Sequence, residues 1–106
     1  MVDLSRDADK MICILYKQYL TRRENGMSKS EACQFDDVAQ MRSEFFPYET
    51  IDDLNETLIE LCRALNLVYS IDNSFVLSDK AIIYMEGRFK RNLKAVLDYL
   101  AQFLCP

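Results

Sequence analysis

The chain has 106 residues, half of them hydrophobic and only two each of glycine and proline. This composition excludes a disordered chain and allows one domain, residues 1–106, with a modest core. The formal net charge of −4 excludes a generally basic nucleic-acid-binding surface, so any such contact must come from a local patch.

The first predicted helix covers about residues 5–25. Its apolar residues recur at the spacing of a core-facing stripe; they are Met11, Ile12, Leu15, Tyr16, Tyr19 and Leu20. Asn25-Gly26 is expected to end this helix, because both residues tolerate the left-handed conformation found at helix C-termini.

The second predicted helix covers about residues 30–46. Ser28 and Glu31 have the spacing of a capping box, in which each side chain accepts from an amide at the start of the helix. A break near Gln34 and Phe35 is the alternative, with a new helix starting at the acids that follow. Pro47 ends the segment.

The third predicted helix covers about residues 51–66, with Thr50 as its N-cap and acids in its first turn. Its predicted buried seam consists of Ile51, Leu54, Leu58, Leu61 and Leu65. A β-hairpin should follow, because strand formers flank Asp72-Asn73, a two-residue turn sequence. These strand formers are Tyr69, Ile71, Phe75 and Val76.

Ser78 should cap one long last helix over residues 79–104. A heptad-like seam and a second apolar line run along it; together they include Phe89, Leu93, Val96, Leu97, Leu100, Phe103 and Leu104. So much apolar surface exceeds what a small core covers. We therefore expect an association helix that pairs with a second copy or another partner. The alternative is that it folds back against the first helix.

The order of three helices, a hairpin and a long helix resembles the winged helix-turn-helix superfamily. The segment L-S-D-K-A-I-I-Y-M-E at residues 77–86 is similar to that family's L-T-x-x-G-x-x-Y-L-E, with Ser for Thr and Ala for Gly. The segment E-A-C-Q-F-D-D-V at residues 31–38 is similar to the start of its second helix. The resemblance implies a mainly α fold with a small β-hairpin (α+β), in which the third helix enters the DNA major groove and the hairpin contacts the backbone. The same scaffold also serves RNA contact and protein docking.

Catalytic and metal chemistry have little support in the sequence. Histidine is absent, the four cysteines form no C-x-x-C pair, and no phosphate-binding or nucleophile motif occurs. No enzyme activity, zinc site or other cofactor is therefore expected. With no apolar run long enough for a signal or a membrane span, we expect a cytoplasmic chain with free thiols.

The predicted exposed face of the third helix is acidic. It carries Asp52, Asp53, Glu56, Thr57, Glu60 and Arg63. Phosphate contacts normally come from Lys, Arg or neutral donors, so this acidic docking face opposes entry into the major groove. Asn55 and Arg63 are the residues that would contact base edges, and the hairpin tip, residues 70–74, carries no Lys or Arg.

A local basic patch is predicted in the last helix. Arg88, Lys90, Arg91 and Lys94 would lie on connected helical positions. Either they form a solvated flank, or they contact a nucleic-acid backbone or an acidic partner. A second basic group would extend this patch if the first and last helices are neighbours; it comprises Lys17, Arg22 and Arg23.

These patterns favour a non-enzymatic accessory protein in replication or transcription that acts mainly through protein–protein contacts. One alternative is a dimeric DNA-binding transcription regulator, in which the last helix dimerises and Asn55, Thr57 and Arg63 touch the operator. A further alternative is an acidic DNA-mimic inhibitor or a structural dimer.

Overall fold

A computed structural model describes residues 3–35, 38–65, 68–69 and 74–104. Its helices are α1 Arg6–Glu24, α2 Lys29–Ala32, α3 Val38–Phe45, α4 Ile51–Leu65, α5 Asp79–Phe89 and α6 Leu93–Leu104. Three two-residue strands, β1 Gln34–Phe35, β2 Val68–Tyr69 and β3 Phe75–Val76, form an antiparallel sheet in the order β1-β3-β2. The prediction of a mainly α chain with a small β part is confirmed.

The central helix α1 has the predicted bounds and the predicted buried stripe. The Ser5 Oγ accepts from the Ala8 N–H at 3.2 Å and caps its start. At its end Gly26 has a φ of 91°, and the Met27 N–H donates to the Arg22 carbonyl at 3.0 Å, which is a Schellman C-cap. All six apolar residues of the predicted stripe are buried.

The prediction of a single second helix is wrong, and the alternative, a break near Gln34 and Phe35, is confirmed. Ser28 caps α2, with its Oγ accepting from the Glu31 N–H at 3.3 Å, but the strand β1 then separates α2 from α3. Phe35 pairs with Phe75 in the antiparallel register, and the two rings stack with their centroids 5.2 Å apart. This buried pairing across the sheet outweighs the local preference for one continuous helix.

The helix α4 agrees with its prediction except in its first turn. The Thr50 Oγ1 accepts from the Asp53 N–H at 3.1 Å, and the four leucines of the seam are fully buried. Ile51 is wrong as a core residue, because it lies to one side of that seam and is 44% exposed. The hairpin is confirmed by the antiparallel pairing of β2 with β3; its predicted turn, with Ile71, falls outside the described residues.

The long last helix is wrong, because the chain turns between Phe89 and Leu93. Ser78 caps α5 as predicted, accepting from the Ala81 N–H at 3.1 Å. After Phe89, Lys90 and Arg91 adopt positive φ angles of 51° and 59°. The Asn92 Oδ1 then accepts from the Ala95 N–H at 3.1 Å and starts α6. Asparagine is a strong N-cap, so Asn92 is a local signal that the periodicity of the seam concealed.

The predicted association helix packs inside the chain, as its alternative proposed. The contacts of α6 are chiefly with α1, where Val96 and Leu100 are buried. Phe89, Leu93 and Phe103 pack partly buried against the same core. Leu97 remains 42% exposed, while the side chain of Leu104 is outside the description.

Within the described part of the chain, no helix has the length and apolar character needed to cross a membrane.

Candidate functional site

The outer face of α4 presents apolar and acidic side chains together. Ile51 and Ile59 lie eight residues, or just over two turns, apart. Glu56 lies three residues before Ile59 and four after Asp52, which makes it a neighbour of both on the helix surface. All four are exposed, and so is Asp53 beside them. We call Ile51, Asp52, Asp53, Glu56 and Ile59 the docking face.

The apolar residues of the docking face were missed by sequence reasoning. Ile59 is 48% exposed, although the predicted face contained only polar residues. Its position immediately after Leu58 of the buried seam turns it outward on a 3.6-residue helix, so the signal was present. Tyr48, in the loop before α4, is 98% exposed and adds an aromatic side chain three residues before Ile51.

Glu60, the fourth acid of the predicted acidic docking face, is hydrogen-bonded to another part of the chain. Its carboxylate oxygens accept from the Ser5 N–H at 2.8 Å and from the Ser5 Oγ at 2.7 Å. These bonds hold the start of α1 against α4, and they leave Glu60 only half-exposed. The free acids of this face are therefore concentrated in the first two turns of α4.

The candidate base-reading residues are unevenly placed on α4. Asn55 and Thr57 are half-buried, whereas Arg63 is exposed in the last turn. The Thr57 Oγ1 donates to the Asp53 carbonyl at 3.0 Å, which directs this hydroxyl along the helix. The exposed cation and the first-turn acids therefore lie at opposite ends of α4.

Arg88 does not belong to the predicted basic patch. Its Nη1 donates to the Asp9 Oδ1 at 2.6 Å, and the Arg88 and Asp9 side chains are only 24% and 18% exposed. The guanidinium carbon lies 4.9 Å from the ring centroids of Phe89 and Tyr99. The Tyr99 hydroxyl donates to the second Asp9 oxygen. This cluster joins α1, α5 and α6.

The charges of this cluster support one another. Burial acts to lower the pKa of Arg88, but the hydrogen bond and the charge of Asp9 outweigh it and raise that pKa. Burial raises the pKa of the neighbouring Cys13 thiol to about 12, with a further contribution from Asp9. Arg88 is therefore a fixed cation, and Cys13 stays a protonated core residue.

The other three residues of the predicted patch are exposed. They do not occupy successive positions of one helix, because Lys90 and Arg91 lie in the turn between α5 and α6. The Arg91 Nε donates to the Glu86 carboxylate at 2.5 Å, with the Arg91 side chain 72% exposed. Lys90, Arg91 and Lys94 thus form a smaller basic cluster at this turn.

The second basic group is divided among three places. The Arg22 Nη1 donates to the Gln34 carbonyl at 2.6 Å and ties α1 to β1. Arg23 lines a groove with Arg91, which brings this one cation of α1 beside the basic cluster. Lys17 lies in a different groove, near the exposed Leu97.

Metal-ligating side chains do not cluster in the part of the chain that is described: no three of its Cys, Asp and Glu residues are placed to hold an ion. Cys13, Cys33 and Cys62 are free, and Cys105 lies outside the described residues.

Comparison with known proteins does not add a relative. No protein-family model matches the chain, and no curated protein and no solved structure was found to match it.

Proposed function

We propose that this chain is a non-enzymatic winged-helix accessory protein of a nucleic-acid process, replication or transcription, and that it acts by docking another protein on α4. The order of its helices and hairpin supports the winged-helix assignment, together with the residue pattern at 77–86. The observation that carries the docking role is the pair of exposed isoleucines, Ile51 and Ile59, beside Asp52 and Glu56.

The chemistry of this face suits a protein better than DNA. Carboxylates in the first two turns of α4 would be repelled by the phosphates that line the major groove. When a partner removes branched apolar side chains from water, their burial stabilises the complex by about 25 cal/mol for each Å² buried. Anchors of this kind, with charges at their rim, are typical of protein interfaces.

The charge of the face defines the partner's chemistry. Asp52, Asp53 and Glu56 together carry three negative charges around the two isoleucines. The complementary surface has an apolar centre with Lys or Arg at its edge, as on a basic amphipathic helix. Such charges orient the partner and exclude acidic competitors.

Site-specific photo-crosslinking in the cells that make the protein tests the docking role. A photoreactive residue at position 59 should give one discrete adduct, and Asp52→Lys with Glu56→Lys should abolish it by reversing the charge. Position 83 is the matched control, because Ile83 is 67% exposed on α5; it should give no such adduct. Equal adducts at both positions, or none at position 59, would refute the docking face.

The identity of the crosslinked protein tests the rest of the proposal. A component of the replication or transcription machinery with a basic apolar segment supports the accessory role. A partner from an unrelated process would leave the docking face intact and disprove the accessory role.

A supporting nucleic-acid contact is assigned to the basic cluster, Lys90, Arg91 and Lys94, because all three are exposed at one turn. Fluorescence anisotropy with random single- and double-stranded DNA over a salt series measures it. Wild type should bind at low salt, and Lys90→Glu/Arg91→Glu/Lys94→Glu should not. Absence of wild-type binding at low salt would remove this contact. Tight, sequence-selective duplex binding that Arg63→Ala abolishes would instead favour the regulator.

A further inference from the structure

We propose that the surface of α1 that receives α6 is also an interface between two copies of this chain, formed when the copies exchange their α6 helices. In the exchanged dimer α5 and α6 join into one continuous helix, and α6 of each copy packs on α1 of the other. This inference does not rest on the proposed function.

The turn between α5 and α6 is the first reason. Only residues 90–92 separate the two helices, and Lys90 and Arg91 both have positive φ angles. Within the described residues they are the non-glycine positions with this conformation, which is unfavourable for L-residues because the Cβ crowds the backbone. Straightening the turn would relieve both residues, and short strained connections of this kind promote exchange between copies.

The sequence through the turn is the second reason. Its apolar seam continues in heptad-like register from Phe89 through Leu93, Val96 and Leu100. Residues 90–92 include neither glycine nor proline, so they are compatible with helix. The straightened helix over residues 79–104 would be about 39 Å long at 1.5 Å per residue, which carries α6 well away from its own α1.

The packing of α6 is the third reason. It contacts chiefly α1 and contacts α5 much less. The contacts that bind α6 can therefore form on the α1 of either chain. They involve Val96 and Leu100 in the core, the Tyr99 hydroxyl on Asp9, and the Arg6 guanidinium over the Phe103 ring. A second copy offers an identical α1, so these contacts re-form between the chains without a new surface.

The side-chain cap of Asn92 on α6 holds the closed monomer. The neighbouring Arg91–Glu86 ion pair lies at the surface, with the Arg91 side chain 72% exposed, and contributes little. In a continuous helix the cap has no role, because the amides of α6 bond to carbonyls of the preceding turn. Asn92→Ala therefore destabilises the closed form selectively and should favour the exchanged dimer.

Three single substitutions at exposed positions test the proposal. Loss of an N-cap shifts the equilibrium between the closed and the straightened turn about fivefold. A dimer has two such turns, so Asn92→Ala should raise the dimerisation constant about 30-fold. Lys90→Gly should lower it at least as much, because glycine accepts the positive φ and weakens the continuous helix. Lys94→Gly is the matched control, since residue 94 is helical in both forms, and it should leave the constant unchanged.

The measurement is light scattering after each full-length chain is refolded at high and at low protein concentration. During refolding, α6 can pack either on its own α1 or on the α1 of a second copy. Exchange between chains that are already folded is slow. The expected order of dimer content is Asn92→Ala above wild type and Lys94→Gly, with Lys90→Gly lowest. Because Asn92→Ala and Lys90→Gly act in opposite directions, misfolding of one, detected by circular dichroism, leaves the other as a test.

Isotope-filtered NMR on mixed labelled and unlabelled chains distinguishes exchange from simple association. An exchanged dimer must show contacts between Phe103 of one copy and Arg6 of the other. The proposal is overturned if every variant stays monomeric after concentrated refolding. It is equally overturned if Lys94→Gly changes the dimer as Lys90→Gly does, or if the dimer lacks the Phe103–Arg6 contact between chains.

Discussion

The ion pair between Arg88 and Asp9 gives the sharpest stability prediction, because a second arginine provides its control. Arg88→Met keeps a long apolar side chain between the rings of Phe89 and Tyr99 and removes only the charge and its donors. Arg91→Met makes the same change at an ion pair of similar length, since the nitrogen–oxygen distances are 2.6 Å for Arg88 and 2.5 Å for Arg91. The two pairs differ in burial.

The magnitude follows from that burial. Exposed ion pairs contribute about 0–1 kcal/mol, whereas removing one partner of a fully buried pair costs about 3–5 kcal/mol. The side chains of Arg88 and Asp9 are 24% and 18% exposed, between these limits. We expect Arg88→Met to lower the free energy of unfolding by about 2–3 kcal/mol and the melting temperature by about 10 °C. Arg91, whose side chain is 72% exposed, should tolerate the change without a measurable shift.

Urea unfolding followed by far-ultraviolet circular dichroism measures both variants. Asp9→Asn and the double variant Asp9→Asn/Arg88→Met complete a double-mutant cycle, which should give a coupling energy of about 1–3 kcal/mol. If Arg88→Met is no less stable than Arg91→Met, or if the cycle shows no coupling, then burial does not set the contribution of this pair.

Three further predictions concern the thiol, the helix caps and the α5–α6 turn. Burial raises the pKa of Cys13 from 9.0 to about 12, so the unfolded chain loses this proton first and the free energy of unfolding should fall as pH rises between these values. Cys13→Ala should remove about 1.4 kcal/mol per pH unit of this fall, as measured by urea unfolding at a series of pH values. Ser78→Ala should cost about 1 kcal/mol because it removes the cap of α5, whereas Ser43→Ala, at an exposed site within α3, should not destabilise, and equal losses in thermal melts would contradict the capping role. In dilute solution Lys90→Gly should stabilise the monomer by about 1 kcal/mol, while Lys94→Gly should destabilise it by a similar amount; a loss of stability in both would refute strain at Lys90.

Several elements were predictable because their signals are local. The stripe of α1, its glycine stop and the caps Ser28, Thr50 and Ser78 depend on residues within four positions of one another. The structure has them where the sequence predicted them. The same helical spacing places Ile59 on the outer face of α4, because Ile59 directly follows Leu58 of the buried seam.

The candidate site was predicted only in part, because its residues are committed by distant partners. Glu60 looks like a free surface acid in the sequence but binds Ser5, 55 positions earlier. Arg88 looks like part of a basic helix face but binds Asp9, 79 positions earlier. Spacing along a helix assigns a side chain to a face, but it does not say which other element covers that face.

The sequence by itself therefore determined the bounds of α1 and α4, the caps that start α2 and α5, and the burial of the α1 stripe and of the four leucines of α4, because these follow from backbone geometry and residues close in the chain. The tertiary structure decided the strand at Phe35 and the division of the last helix into α5 and α6. Phe35 is extended because Phe75 stacks on it. The apolar seam of α6 turns back because α1 offers it a core, and burying Val96 and Leu100 there offsets two residues held at positive φ.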